Sequence, residues 1–284
     1  MEDVRAAADR LLMEASPVVA SESQVTPTES HEYLEEYLVE ENLEVLVEAR
    51  RYRVRAIPWN ETPTQLAYQR LRAEVFIDQL GWRLPRGPLG GESDRYDIGG
   101  QAITVYGAFG IDGCGREHLL GGVRIFRLRA WDDSMLPHEF AGLGMVPPPI
   151  MKQLKARYPQ ANLNELTRLC VRPGRRWSPP DAPEETFDLG VAGDLCYAAT
   201  CLEAEMTNRW HALAIVDAVY ERVMRRAHFQ MEPIHSVKAS AADRYGYSVV
   251  LIDMPATIKA IRASGAEDRA NRIVSMCQEK WLLP

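Results

Sequence analysis

Strict alternation is the first regular pattern in the chain. Tyr52, Val54 and Ala56 interleave with Arg51, Arg53 and Arg55, which predicts a half-buried strand. Pro63–Leu80 then follows a helical period and stops at Gly81. Inside it Tyr68, Arg72 and Phe76 stand at i, i+4 and i+8, so an arginine shares one face with two aromatics, and Trp82 follows the helix. Leu84–Gly100 is rich in Gly and Pro and reads as a loop. Ala102–Phe109 and Leu119–Leu128 predict two strands joined by the turn GIDGCG. Trp131–Pro149 reads as a loop anchored by Met135, Leu136 and Phe140, and Met151–Tyr158 as a short basic helix. Leu163–Val171, LNELTRLCV, predicts a short buried strand ended by the turn Arg172-Pro173-Gly174. After a basic, Pro-rich loop at Arg172–Glu185, the pattern gives a helix over Asp194–Arg209, a buried strand over Ala212–Val216 and a helix over Ala218–His228. Tyr247–Asp253 predicts a further strand, and Ala256–Ser264 and Glu267–Leu282 two more helices.

Upstream the character changes. Asp3–Ala15 has helical character, Ser16–Ser30 reads as a polar linker, and His31–Glu48 reads as an acidic amphipathic helix. The expected organisation is an N-terminal helical extension over 1–48 and one domain over 49–284. Strands alternating with helices predict an α/β domain with a mixed central sheet and helices on both faces.

Composition narrows the function classes. At 284 residues, with 46% hydrophobic and 26% charged positions, the chain is ordinary for a globular protein. A net charge of −7 argues against general nucleic-acid binding. No apolar run reaches membrane-spanning length and Met1-Glu2-Asp3 opens no secretory signal, so a cytoplasmic protein is expected. Five cysteines without CxxC spacing read as reduced thiols, and six histidines without HxxxH spacing hold no metal. GxGxxG, GxxxxGK[ST] and GxSxG are all missing, which removes dinucleotide, P-loop and α/β-hydrolase readings.

Charged residues inside apolar strands are the informative exceptions. Glu165 and Arg168 interrupt LNELTRLCV, and Arg124 stands between Val123 and Ile125. Burying such groups is costly unless they are paired or line a site. Three residues apart in a regular strand, Glu165 and Arg168 would face opposite sides, so a bulge or splay is expected there. Physics alone leads to a soluble α/β protein with charged groups converging on one site.

Taken in order, Arg72, Phe76 and Trp82 (R-x3-F-x5-W), Asp94 and Asp97 (D-x2-D in ESDRYD), Arg124 in GGVRIF and Glu165, Thr167 and Arg168 in ELTR resemble the signature of the acyl-homoserine lactone synthases. SMLPHEF is similar to the methionine-leucine-phenylalanine stretch of that family. Residues 50–171 carry the resemblance, and the rest follows only in its β-α-β outline. The N-terminal region, the GIDGCGREH insertion and the long Arg172–Gly193 connection depart from the family.

The resemblance implies a GNAT-like acyltransferase fold whose central strands splay to admit a pantetheine arm. It implies transfer of an acyl group from acyl carrier protein or acyl-CoA to the amine of S-adenosyl-L-methionine, lactone closure and release of methylthioadenosine. S-adenosyl-L-methionine is a substrate, and no cofactor or metal is implied. Glu165 would be the base, with Arg72, Arg124 and Arg168 orienting the methionine carboxylate and Asp94 and Asp97. Phe76 and Trp82 would cover the adenosyl-sulfonium end. An acidic carrier protein would need a basic patch; Arg222, Arg225 and Arg226 are the first candidates, then Lys152, Lys155, Arg175 and Arg176. Two alternatives stay open: a GNAT-fold enzyme acylating another amine, and a non-catalytic synthase-like binding protein.

Overall fold

The computed structural model describes residues 51–59, 61–82, 84–98, 102–142, 150–237 and 246–265. The N-terminal extension expected over 1–48 and the helix expected over Glu267–Leu282 lie outside the described residues. Among the described residues, no helix is long and apolar enough to cross a membrane.

Seven strands form one mixed sheet in the order β1-β2-β3-β4-β7-β9-β8. In chain order these are β1 (Tyr52–Ala56), β2 (Ile103–Ile111), β3 (Glu117–Arg127) and β4 (Asn164–Val171), with β7 (His211–Asp217), β8 (Met231–Val237) and β9 (Tyr247–Asp253) completing it. Every neighbouring pair is antiparallel except β4 and β7. That parallel ladder is short: Asn164, Glu165 and Leu166 pair with Ala212, Leu213 and Ala214, and pairing ends there although both strands run on. The strands part beyond this point.

Helices cover both faces. Over one lies α4 (Leu189–Thr207), with α5 (Ala218–Arg226) and α6 (Met254–Ala263) beside it. Its small residues Ala198, Ala199 and Cys196 pack in one cluster with Val123, Ile125, Leu166, Ala212 and Val250 of the sheet. The opposite face is covered in two parts. α1 (Thr62–Arg72) packs through Tyr68 and Leu71 on Val105, Phe109, Leu119 and Cys170. α2 (Leu136–Gly142) and α3 (Ile150–Arg157) pack through Leu136, Phe140, Ile150 and Leu154 on Phe126, Leu213, Val249 and Leu251. α1 comes so close to β3 that a Cβ on Gly122 would stand 2.6 Å from the Tyr68 ring, so only glycine fits there.

Several expectations shift. The helix predicted over Pro63–Leu80 is α-helical to Arg72 and then widens into a π-helix over Ala73–Gln79, ending at Gly81 with φ +70°. α2 lies inside the stretch expected as loop, and the helix expected from Asp194 begins at Leu189. β8 was not predicted, because Pro233 breaks its pattern; as an edge strand with a register shift at Pro233/His235 it tolerates the proline. Arg172–Glu185 is not bare loop: it contains β5 (Arg176–Trp177), which forms a two-residue ladder with β6 (Phe187–Asp188) just beyond it. Among the described residues, Cys114 is exposed, and Cys170 and Cys196 are buried thiols.

Candidate active site

Between the two apolar patches under α1 and under α2 and α3, the sheet presents charge. Arg124 of β3 and Glu165, Thr167 and Arg168 of β4 occupy this strip. Thr167 pairs opposite Arg124, and Glu165 opposite Phe126, so these side chains share a face. Arg168 joins them through a local distortion. Its φ is +54°, and the β3–β4 register shifts between Gly122 and Arg124. This is the expected bulge, and it turns Arg168 toward the face that Glu165 already occupies. Tyr68 holds the distorted backbone by donating its hydroxyl to the Arg168 carbonyl at 2.7 Å.

Arg72 enters from the end of α1. It is fully buried and grips Asp97 with two bonds, Nη1 to Oδ1 at 2.6 Å and Nη2 to Oδ2 at 2.8 Å, while also donating to the Glu92 side chain and, at 2.9 Å, to the Glu92 carbonyl. Arg124, also fully buried, grips Asp94 with two bonds of 2.8 Å and donates Nε to Thr167 Oγ1 at 2.9 Å. Arg168 donates to Glu139 at 2.7 Å and to Glu92 and Asp94 at 3.2 Å each. The D-x2-D turn closes on itself, with Asp94 N donating to Asp97 Oδ2 at 2.8 Å. Three guanidiniums and four carboxylates thus form one continuous network.

The loop that supplies three of these carboxylates is seated by a glycine. A Cβ on Gly91 would lie 2.7 Å from Gln69 Cβ and 2.9 Å from Gln69 C, and next to it Glu92 N donates to the Gln69 carbonyl at 2.9 Å. Backbone contact with α1 therefore delivers Glu92 to Arg72.

Glu165 stands apart from the arginines. Met135 N donates to its Oε2 at 2.6 Å and the Ser134 hydroxyl bonds its Oε1. Burial pushes its carboxyl up to about 7; the Ser134 and Met135 hydrogen bonds pull downward, and the charge of Glu139 adds to the rise. Asp94 behaves oppositely. Burial alone would raise it, but the Arg124 bonds and the charges of Arg168 and Arg72 outweigh that and bring it to about 2. Two carboxylates on one surface are thereby driven apart, one ionised and one poised near neutrality.

Phe76 and Trp82 contact each other at 5.0 Å between ring centroids. Trp82 also meets Tyr247 edge-on at 5.8 Å. Tyr247 opens β9 and pairs with Asp217 at the end of β7, so the aromatic row reaches from the π-helix after α1 to the strands beyond the β4–β7 parting.

The basic candidates do not converge. Arg222, Arg225 and Arg226 are exposed on α5, on the α4 side of the sheet, with Arg225 bonded to Glu221 at 2.8 Å. Lys152 and Lys155 are exposed on α3, which packs on the opposite face, and Lys155 pairs with Asp132. Arg175 just before β5 and Arg176 within it are exposed.

Glu92, Glu139 and Ser134 join the network or bond Glu165, although none of them is a site candidate in the sequence reading. Glu92 had a signal, its place two residues from Asp94 in a carboxylate-rich loop. Ser134 and Glu139 lie in SMLPHEF, the stretch similar to that of the family, but no period there marks either one as a site residue. A cavity of about 350 Å³ lined by Arg55, Glu61, Thr64, Phe109, Glu117 and Leu119 lies elsewhere, and Arg55 there is already paired with Glu61 and Glu117.

No family profile and no curated protein matches the chain. Among solved structures, it is similar to TofI in a ternary complex with an inhibitor and MTA, at 19% identity and a TM-score of 0.48 over 75% of this chain and 96% of that one. It is similar to MesI, a CoA-dependent acyl-homoserine lactone synthase, at 18% identity and 0.47 over 75% and 95%. It is also similar to FeeM, an N-acyl amino acid synthase from uncultured soil microbes, at 12% identity and 0.49 over 74% and 94%.

Proposed function

We propose that this protein is an N-acyltransferase that makes an acyl-homoserine lactone signal from S-adenosyl-L-methionine and an acyl thioester, releasing methylthioadenosine. The observation that carries the reading is Glu165: a buried carboxyl held near neutrality, beside the place where β4 and β7 part. An ammonium cannot attack a thioester, and a base poised near the working pH removes its proton most effectively. The ordered set Arg72, Phe76, Trp82, Asp94, Asp97, Arg124, Glu165, Thr167 and Arg168 supports the choice of substrate pair through its resemblance to the synthase family.

In this reading the thioester lies in the gap beyond Leu166, where β4 no longer pairs with β7 and its backbone can meet a developing oxyanion. Arg72 and Arg124 hold Asp94 and Asp97 in place. Arg168 directs single bonds at Glu92, Glu139 and Asp94 and keeps N–H donors for the substrate carboxylate. The row Phe76, Trp82 and Tyr247 covers the adenosyl-sulfonium end, where aromatic faces suit both adenine and a cation. No cofactor takes part. The donor is an acyl carrier protein or acyl-CoA, and the reaction belongs to the cytoplasm, where both occur.

The test is mass spectrometry of products from purified protein, S-adenosyl-L-methionine and acyl donors of several lengths on carrier protein and on CoA. Acyl-homoserine lactone with stoichiometric methylthioadenosine is expected. An acylated amine without methylthioadenosine would replace this reading with acylation of a different amine. Absence of any product across the panel would overturn it in favour of a binding role.

A further inference from the structure

We infer that Ser134 is a positioning residue for Glu165, fixing Oε1 as the oxygen that takes up the proton. The inference rests on the proposed role of Glu165 as base and names a residue outside the ordered motif.

The geometry of the two carboxylate oxygens is unequal. Oε2 receives the backbone N–H of Met135 at 2.6 Å. A backbone N–H only donates, so a proton on Oε2 would face a donor and lose that bond. Oε1 instead meets a hydroxyl, Ser134 Oγ. Leu136 N approaches the same Oγ at 3.3 Å, so the serine oxygen is already accepting and its own hydrogen is directed at Glu165. A hydroxyl is reversible. It donates to Oε1 while Glu165 is a carboxylate and accepts from Oε1–H once Glu165 is an acid.

The proton count closes without further reactants. One proton leaves the substrate nitrogen and forms the Oε1–H bond, and the Ser134 hydrogen turns away from Oε1 but stays on Oγ. Ser134 is 3% exposed and Glu165 1%, so bulk water does not substitute for this partner. On the neighbouring strands the residues paired with Glu165 are Phe126 and Leu213, both apolar. The titratable groups bearing on it from other elements are Glu139 of α2 and Tyr96 of the 95–98 turn. Arg168 acts at one remove, through its bond to Glu139.

The experiment is a pH titration of the Glu165 carboxyl band by infrared difference spectroscopy on the full chain, the band being assigned by its loss in Glu165→Gln. Ser134→Ala removes a donor to the carboxylate and should move the midpoint upward by about one pH unit, with Ser134→Thr returning it toward the wild-type value. The acidic limb of kcat/KM should move with it. Ser134→Cys, a weaker donor of similar size, should shift the midpoint in the same direction by less, and it decides the matter should the alanine variant not fold. An unchanged midpoint in the folded alanine or cysteine variant would overturn the inference. Because the titration is read without turnover, it stands even where no lactone is formed, an outcome that would count against the proposed function alone.

Discussion

Glu165 and Arg168 are three residues apart in one strand and face the same side of the sheet. A left-handed backbone at Arg168, φ +54°, and one extra residue of β4 against β3 bring this about. A non-glycine residue held in that region costs on the order of 1 kcal/mol, which the three carboxylates around its guanidinium and the Tyr68 bond to its carbonyl offset. The bulge places the Glu165 carboxyl, the base of the proposed reaction, next to a wall of fixed charge within a single strand.

Glu165→Gln should lower acyl transfer by about 100-fold or more, since general-base contributions run to that size. The same variant has a stability signature. The raised folded value means that the wild type keeps its full contribution from this group below pH 4.5 and loses it as pH rises toward 7. The glutamine variant should therefore match the wild type near pH 4 and exceed it at pH 8, by at most about 3 kcal/mol. Urea unfolding at the two pH values checks this. Asp94 has the opposite sign: its stabilisation is present above pH 3.8 and is lost as pH falls toward 2.

Arg72→Met should destabilise the protein by about 3–5 kcal/mol, because Glu92 and Asp97 would remain buried beside Arg72's empty place. Restoring part of that loss by adding Glu92→Gln would show that the stranded carboxylate, and not the lost helix packing, carries most of the cost. Denaturant midpoints of the two variants measure it.

Gly91→Ala should separate activity from folding. The added methyl meets Gln69 backbone at 2.9 Å, so the 84–98 loop must lift from α1 and carry Glu92 with it. A loss of about 10-fold or more in kcat/KM is expected with a shift in stability of about 1–3 kcal/mol. Steady-state kinetics beside a thermal melt decides it.

Much of the fold could be read in advance because burial and period agree. β9 matches its predicted span, and Tyr68, Arg72 and Phe76 do share a face, with the Arg72 guanidinium 5.2 Å from the Tyr68 ring. The charged strand positions were legible for a simple reason: arginine among Val123 and Ile125 demands partners. What could not be read were partners from segments without a period of their own. Glu139 and Ser134 sit on and beside a seven-residue helix containing Pro137, too short to show amphipathicity. The π-helical turn after Arg72 has no sequence signature either. Arg168 was expected to need a distortion, but its left-handed φ comes from tertiary contacts and not from its own preference.

Charge reversal at Arg226 tests the surface reading. Arg226→Glu on α5 should weaken apparent affinity for an acidic carrier protein and flatten its salt dependence, with Lys152→Glu on the opposite face leaving both unchanged. Titration of KM for the carrier against ionic strength distinguishes the two. The reverse result would move the docking surface to α3.

The three-pair ladder between β4 and β7 has a mechanical consequence. Among the described residues it is the only strand pairing that joins the four-stranded leaf β1–β4 to the three-stranded leaf β7, β9 and β8. The sheet is thus two leaves bound along one narrow spine, with α4 packed on the first leaf and sharing a buried cluster with Ala212 and Val250 of the second. Ala212, Leu213 and Ala214 form that spine. A substitution there made to resize a substrate pocket would also bend the binding of the two leaves, and its effect would reach Glu165 through the backbone whatever the pocket gained.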